Sequence, residues 1–132
     1  MSCKAAIYTV NNTPVSVLAG GAVPMGAAVR RYGCGISLNG NSVQLGEAGY
    51  YDVDVNLTVQ PVAAGAITAT LYVDGAAYPG AVATSTAAAA GDDVQLVIPA
   101  IVRAMCNSVH ALTVVLSAAA TVTNASAVVV RV

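Results

Sequence analysis

Gly49-Tyr-Tyr-Asp-Val-Asp-Val-Asn-Leu-Thr-Val-Gln60 alternates along its length. Tyr51, Val53, Val55, Leu57 and Val59 fall on one side of an extended strand. Asp52, Asp54, Asn56, Thr58 and Gln60 fall on the other. A period of two with one apolar side is the pattern of a strand that buries one face and wets the other. It places the chain in the antiparallel β class. Tyr50 is the bulky exception on the polar side.

Working outward, strand signals are many and helix signals few. Lys4 to Val10 reads as a strand, broken by Asn11-Asn12-Thr13-Pro14 because proline lacks a donor and asparagine favours turns. Val15 to Leu18 is a short second strand, and Gly20, Gly21 and Pro24 make a loop. Ala27 to Leu38 becomes strand-like toward its end. Asn39-Gly40 then gives a hairpin signal suited to the two positive-φ positions of a type I′ turn, with Ser42 to Leu45 returning. Beyond the long strand, Ala66 to Asp74 alternates again and turns at Asp74-Gly75 into Ala76 to Thr86, which Pro79-Gly80 interrupts. Ala87 to Ala90 has helical propensity, but so short a run does not nucleate a helix and Gly91 closes it. Val94 to Arg103, Val109 to Ser117 and Ala125 to Val132 complete the set. About eight to ten strands with turn signals roughly every ten residues predict a β-sandwich or jelly roll. The whole chain, 1–132, reads as one domain. Residues 1–26 supply N-terminal strands and a loop, and 27–132 the main sandwich.

Composition narrows the function. The chain is 57% hydrophobic, has no Phe and no Trp, and draws every aromatic ring from six Tyr. Charged residues are 8%, against roughly 25% in ordinary globular proteins. Net charge is −1, and so few charges favour association. The five Lys and Arg are scattered, with Arg30-Arg31 the one adjacent pair, so no nucleic-acid patch is expected. The uncharged run Ala104 to Val130 contains Asn107, Ser108, His110, Thr113 and Asn124, too polar for a membrane span. The N-terminus has no apolar signal region, so assembly in a cytoplasm is expected. Cys3, Cys34 and Cys106 are an odd number at wide spacing, which reads as free, buried thiols rather than a disulfide framework.

Two strands are apolar on both sides: Ala111-Leu-Thr-Val-Val-Leu116 and Ala127-Val-Val-Val130. A strand buried on both faces needs a second covering surface, and a partner copy supplies one. The plainer account is that small apolar outer faces tolerate exposure. The first account predicts a homo-oligomer, with Tyr50, Leu112, Val114, Leu116 and Val129 as candidate interface residues.

Ile36-Ser-Leu-Asn-Gly-Asn-Ser-Val-Gln-Leu-Gly-Glu-Ala-Gly-Tyr-Tyr51 resembles the centre of the C1q/TNF-like jelly rolls, where a hairpin is followed by a Gly-x-Tyr that opens a long core strand. Gly49-x-Tyr51 matches that motif. The stretch from Ala66 to Gly80 is similar to the next hairpin of bacterial and phage members, and Thr121 to Val132 to their closing strand. The likeness runs from about residue 34 to the end. It implies a homotrimer with one sheet of each subunit facing the three-fold axis. The family's Phe-rich core and a collagen-like Gly-x-x run are both missing. A stand-alone trimer more closely resembles small phage virion proteins, such as head decorations, head fibres or receptor-binding heads. The opening Met1-Ser-Cys-Lys-Ala-Ala-Ile-Tyr-Thr-Val10 resembles proteins of phages of Gram-positive gut bacteria.

Candidate chemistry is sparse. His110 is the single histidine, so a Ser-His-Asp triad would have to use it. Its apolar neighbours and the lack of a Gly-x-Ser-x-Gly motif favour an ordinary strand-end histidine. Cys106-x-x-x-His110 with Cys3 and Cys34 has the ligand count of a zinc site but no Cys-x-x-Cys pair. Asp52 and Asp54 share a strand face and would suit calcium or acid/base work, though a hydrated face is the simpler account. No catalytic residue, cofactor or metal is therefore assigned.

The expected protein is an all-β, homotrimeric jelly roll that works without catalysis in a phage virion, as a capsid decoration or head fibre. Its partners are itself and other virion proteins such as the major capsid protein. A receptor- or glycan-binding head at a fibre tip, meeting a host-surface glycan, is the alternative, as is a bacterial spore- or cell-surface C1q-like protein.

Overall fold

A computed structural model describes residues 4–105 and 109–132. Within these residues eleven strands form two antiparallel sheets. They are β1 (Ala5–Asn11), β2 (Val15–Val17), β3 (Ala27–Gly33), β4 (Ile36–Asn39), β5 (Ser42–Leu45), β6 (Gly49–Pro61), β7 (Gly65–Val73), β8 (Ala76–Ala87), β9 (Val94–Ala104), β10 (His110–Leu116) and β11 (Ala120–Arg131). The count slightly exceeds the expected eight to ten, because the ambiguous run after Ala27 splits into β3 and β4 around Cys34-Gly35.

One sheet has the order β3-β1-β11-β6-β9, with β2 also on β11; the other is β4-β5-β10-β7-β8. From β5 onward the chain crosses between sheets at β5–β6, β6–β7, β8–β9, β9–β10 and β10–β11, the winding of a jelly roll. The N-terminal segment belongs to the sandwich: β1 lies between β3 and β11.

β6 carries the alternation that defined it. Tyr51, Val53, Val55, Leu57 and Val59 are buried, and Asp52, Asp54 and Asn56 are exposed. The opposite sheet contributes Ile67, Leu71, Leu112, Val114 and Leu116 to the same core. Each such side chain contributes about 1.5–3 kcal/mol on full burial.

The two hairpin turns differ. Asp74 and Gly75 both have positive φ (55° and 82°), as a type I′ turn requires. In the β4–β5 hairpin Asn39 pairs with Ser42, so the central residues are Gly40-Asn41 and only Gly40 has positive φ. That is the II′ pattern with Gly first, one residue later than the Asn-Gly reading placed it.

The candidate interface residues Leu112, Val114, Leu116 and Val129 are corrected by this packing. All four are buried inside the sandwich of a single chain, so they do not face a partner. On β10 the outward positions are Ala111, Thr113 and Val115, and the segment around Ala22 bridges to Val115. On β11 the outward valines are Val128 and Val130.

Thr9 is fully buried, and its hydroxyl has no hydrogen-bond partner among the described residues. Leaving a buried polar group unsatisfied costs about 1–3 kcal/mol. Thr9→Val keeps the shape and removes the hydroxyl. The expected outcome is a higher denaturant midpoint in equilibrium unfolding, worth about 1 kcal/mol.

Candidate interaction surface

The outer face of the six-stranded sheet collects side chains that strand alternation would normally make polar. The ladder registers align Tyr32, Ala6, Val130, Asp52 and Ile101 in one row across β3, β1, β11, β6 and β9. The next row is Arg30, Tyr8, Val128, Asp54 and Pro99. Ile101 is 60% exposed, and Tyr8, Tyr32, Val97, Val128 and Val130 are also exposed. Farther along the face Asn56, Thr58, Gln95 and Ser126 are polar, so the apolar side chains concentrate toward these two rows, a grouping suited to an interaction surface.

The outer face of the other sheet is different. There Thr68, Thr70, Thr84 and Thr86 point outward, and the Thr68 and Thr84 hydroxyls pair across the strands at 2.8 Å.

Tyr50, the one interface candidate that does face outward, sits at the end of the apolar sheet and is 53% exposed. It pairs with Arg103 on β9, whose guanidinium lies 6.0 Å from the ring centroid. Its carbonyl accepts the Val132 N–H at 2.8 Å. Ala48, Gly49, Tyr50, Arg103, Ala104 and Met105 line an open hollow of about 390 Å³.

The Gly-x-Tyr motif holds this corner. Tyr51 is buried and its hydroxyl donates to the Glu47 carbonyl at 2.9 Å. Arg131 donates to the Ala48 carbonyl and covers Gly49. A Cβ on Gly49 would stand 2.8 Å from Arg131 Nε, and φ there is 150°. Only glycine fits. Burial pushes the Tyr51 hydroxyl above its ordinary pKa, while the Arg131 charge opposes and the Glu47 charge adds to the shift.

His110 has a partner that spacing did not reveal. Its Nδ1 lies 2.6 Å from Asp74 Oδ2, and its Nε2 accepts the Met105 N–H at 3.1 Å. The other Asp74 oxygen accepts the Ala111 N–H at 2.9 Å. The proton therefore sits on Nδ1 and points at the carboxylate. An Asp–His pair is present, but its second nitrogen is held by backbone rather than by a nucleophile. Both nitrogens are engaged, so His110 offers no lone pair to zinc. Cys34 is disulfide-bonded, which corrects the free-thiol reading and removes it from any zinc site. Cys3 and Cys106 lie outside the described residues. Among the described residues no cluster of three or more His, Cys, Asp or Glu side chains is placed to hold a metal ion.

Of the tyrosines that the sequence left open, Tyr32 is exposed on the apolar face. Tyr72 pairs with Thr113 on the other sheet. Tyr78 ties β8 to β9 by donating to the Ile101 carbonyl at 2.7 Å.

No family model matches the chain, and no curated protein matches it in sequence. Solved structures do match it in fold. Murine APRIL, a TNF-family protein, superposes with a TM-score of 0.77 at 12% identity, over 98% of this chain and 99% of that one. The globular domain of zebrafish complement 1qA gives 0.71 at 7%, over 98% and 96%. The PRD1 vertex protein P5 gives 0.62 at 15%, over 99% and 98%. The chain has the C1q/TNF-like jelly-roll fold, and the fold is shared with a phage protein.

The Ala111 N–H bond, followed by the His110 bond, holds the Asp74 carboxyl below its ordinary value of 3.8. A depressed carboxylate contributes stability that is complete above the unfolded value and is lost as pH falls through the folded one. Wild type should therefore lose stability below pH 3.8 more steeply than Asp74→Asn, in urea melts across an acid pH series.

Proposed function

We propose that the chain is a non-enzymatic structural component of a phage virion, made in the host cytoplasm and working as a homotrimer in a capsid decoration or head fibre. The observation that carries this reading is the apolar outer face of the six-stranded sheet. A chain with 8% charged residues that exposes Tyr8, Tyr32, Ile101, Val128 and Val130 together is suited to bury that face against another protein. The likeness to PRD1 vertex protein P5 supports a place on a particle, and the C1q/TNF-like fold supports a trimer. Its partners are then two further copies of itself and a neighbouring virion protein such as the major capsid protein. Among the described residues no helix is long and apolar enough to cross a membrane, and no membrane or nucleic-acid partner is proposed.

Two measurements test this reading. Native mass spectrometry of the purified chain is expected to give three times the 13.0 kDa protomer mass. A proteomic inventory of purified virions from the source strain is expected to contain it. A monomer in solution, or absence from particles, would sink the proposal.

A second reading rests on the Tyr50 hollow. An exposed tyrosine ring beside an arginine gives a sugar a stacking surface and a hydrogen-bond donor. A receptor-binding head would bind a host-surface glycan there. On a glycan array Tyr50→Ala should lose the binding signal while its melting temperature stays within about 2 °C of wild type. An array blank for wild type removes this second reading.

A further inference from the structure

Asp52 and Asp54 stand between two apolar ridges. In their rows Val130 and Val128 flank them on β11, and Ile101 and Pro99 on β9. Any partner that covers those ridges also covers both carboxylates. A carboxylate taken out of water without a counter-charge is strongly destabilising. The occupant of this face must therefore bring a cation able to reach both carboxylates.

Arg103, Arg31 and Arg30 do not neutralise these aspartates within one copy. Arg103 lies over the Tyr50 ring. Arg31 donates from Nε to the Ile36 carbonyl. Arg30 faces outward on β3, in the same row as Asp54 and three strands away. Three strand spacings are about 14 Å, with Tyr8 and Val128 in between, too far for a direct ion pair. Among the described residues neither Arg30 nor the two aspartates makes an ion pair. One edge of the face thus carries an unsatisfied cation, and the side near the opposite edge carries unsatisfied anions. Two different patches that complement each other are what a head-to-tail ring of identical subunits requires.

We infer that Arg30 of one copy pairs with Asp52 and Asp54 of the next, closing a ring whose contact is the outer face of the six-stranded sheet. The inference rests on the homotrimer reading and adds its contact residues and polarity. The occupant is a second copy of this chain. Arg30 sets the direction of the ring, and the apolar ridges on β11 and β9 supply the buried area.

The test compares native mass and dissociation constant for wild type, Arg30→Glu, Asp52→Arg/Asp54→Arg, and the chain carrying all three changes. The changed side chains are exposed, and circular dichroism checks that each variant keeps its strands. Each partial reversal is expected to weaken assembly by roughly a hundredfold, and the combined swap to restore it. A wild-type monomer would defeat the homotrimer reading itself. A wild-type oligomer that survives both partial reversals, or that the combined swap fails to restore, would overturn the pairing and leave that reading standing. Dissociation by EDTA alone would also overturn it, because a bound cation would then be neutralising the aspartates.

Discussion

A slip of β6 by one residue would carry Asp52 and Asp54 into the core and leave Tyr51 and Leu57 in water. The placing of every other part follows from the phase of this strand. β6 lies between β11 and β9 and pairs along nearly its whole length with both. Its start is fixed by three contacts of different kinds. The Tyr51 hydroxyl reaches back to Glu47, Arg131 holds the Ala48 carbonyl, and Gly49 admits the arginine by lacking a side chain. Adjacent tyrosines consequently have opposite fates: Tyr51 is sealed in the core and Tyr50 stands in solvent beside Arg103.

The absence of Phe and Trp shapes what remains. The inward positions are filled mostly by Val, Leu, Ile and Ala, with Tyr51 the single buried ring. Small branched side chains fit the pleated, half-buried surface of a strand and lose little rotamer freedom there. Other rings, Tyr8, Tyr32 and Tyr50, stand instead on the outer face of the six-stranded sheet. The side chains best able to strengthen an interface are therefore placed outside the monomer's own core.

Strand alternation made the class and most elements legible, because period two is a direct record of which side is buried. It worked best for β6 and β7, where polar residues mark the wet side. It failed on β10 and β11. Leu112, Val114, Leu116 and Val129 alternate with Val115, Val128 and Val130, so sequence alone offered no way to tell inside from outside. The inward set therefore reads equally well as an outward one. Register removes the ambiguity: Val128 lies opposite Asp54 and Val130 opposite Asp52, so these valines share the outer face with the aspartates. The Asp74–His110 pair was invisible for another reason. Its members are 36 residues apart, brought together because β7 and β10 are neighbours in a sheet whose order no local motif encodes.

The choice between the two outer faces follows from how each satisfies its polar groups. On the five-stranded sheet the Thr68 and Thr84 hydroxyls bond each other beside outward Thr70 and Thr86, and covering this face would desolvate those hydroxyls. On the six-stranded sheet the two rows through Asp52 and Asp54 expose mostly hydrocarbon, which gains by leaving water. Within those rows Asp52, Asp54 and Arg30 are the charged members, and the two aspartates make that part of the face selective. An apolar surface of the right shape would strand two charges, whereas a surface with a cation at the matching position would not. The same two residues that keep the isolated sheet wetted thus decide which surfaces can cover it.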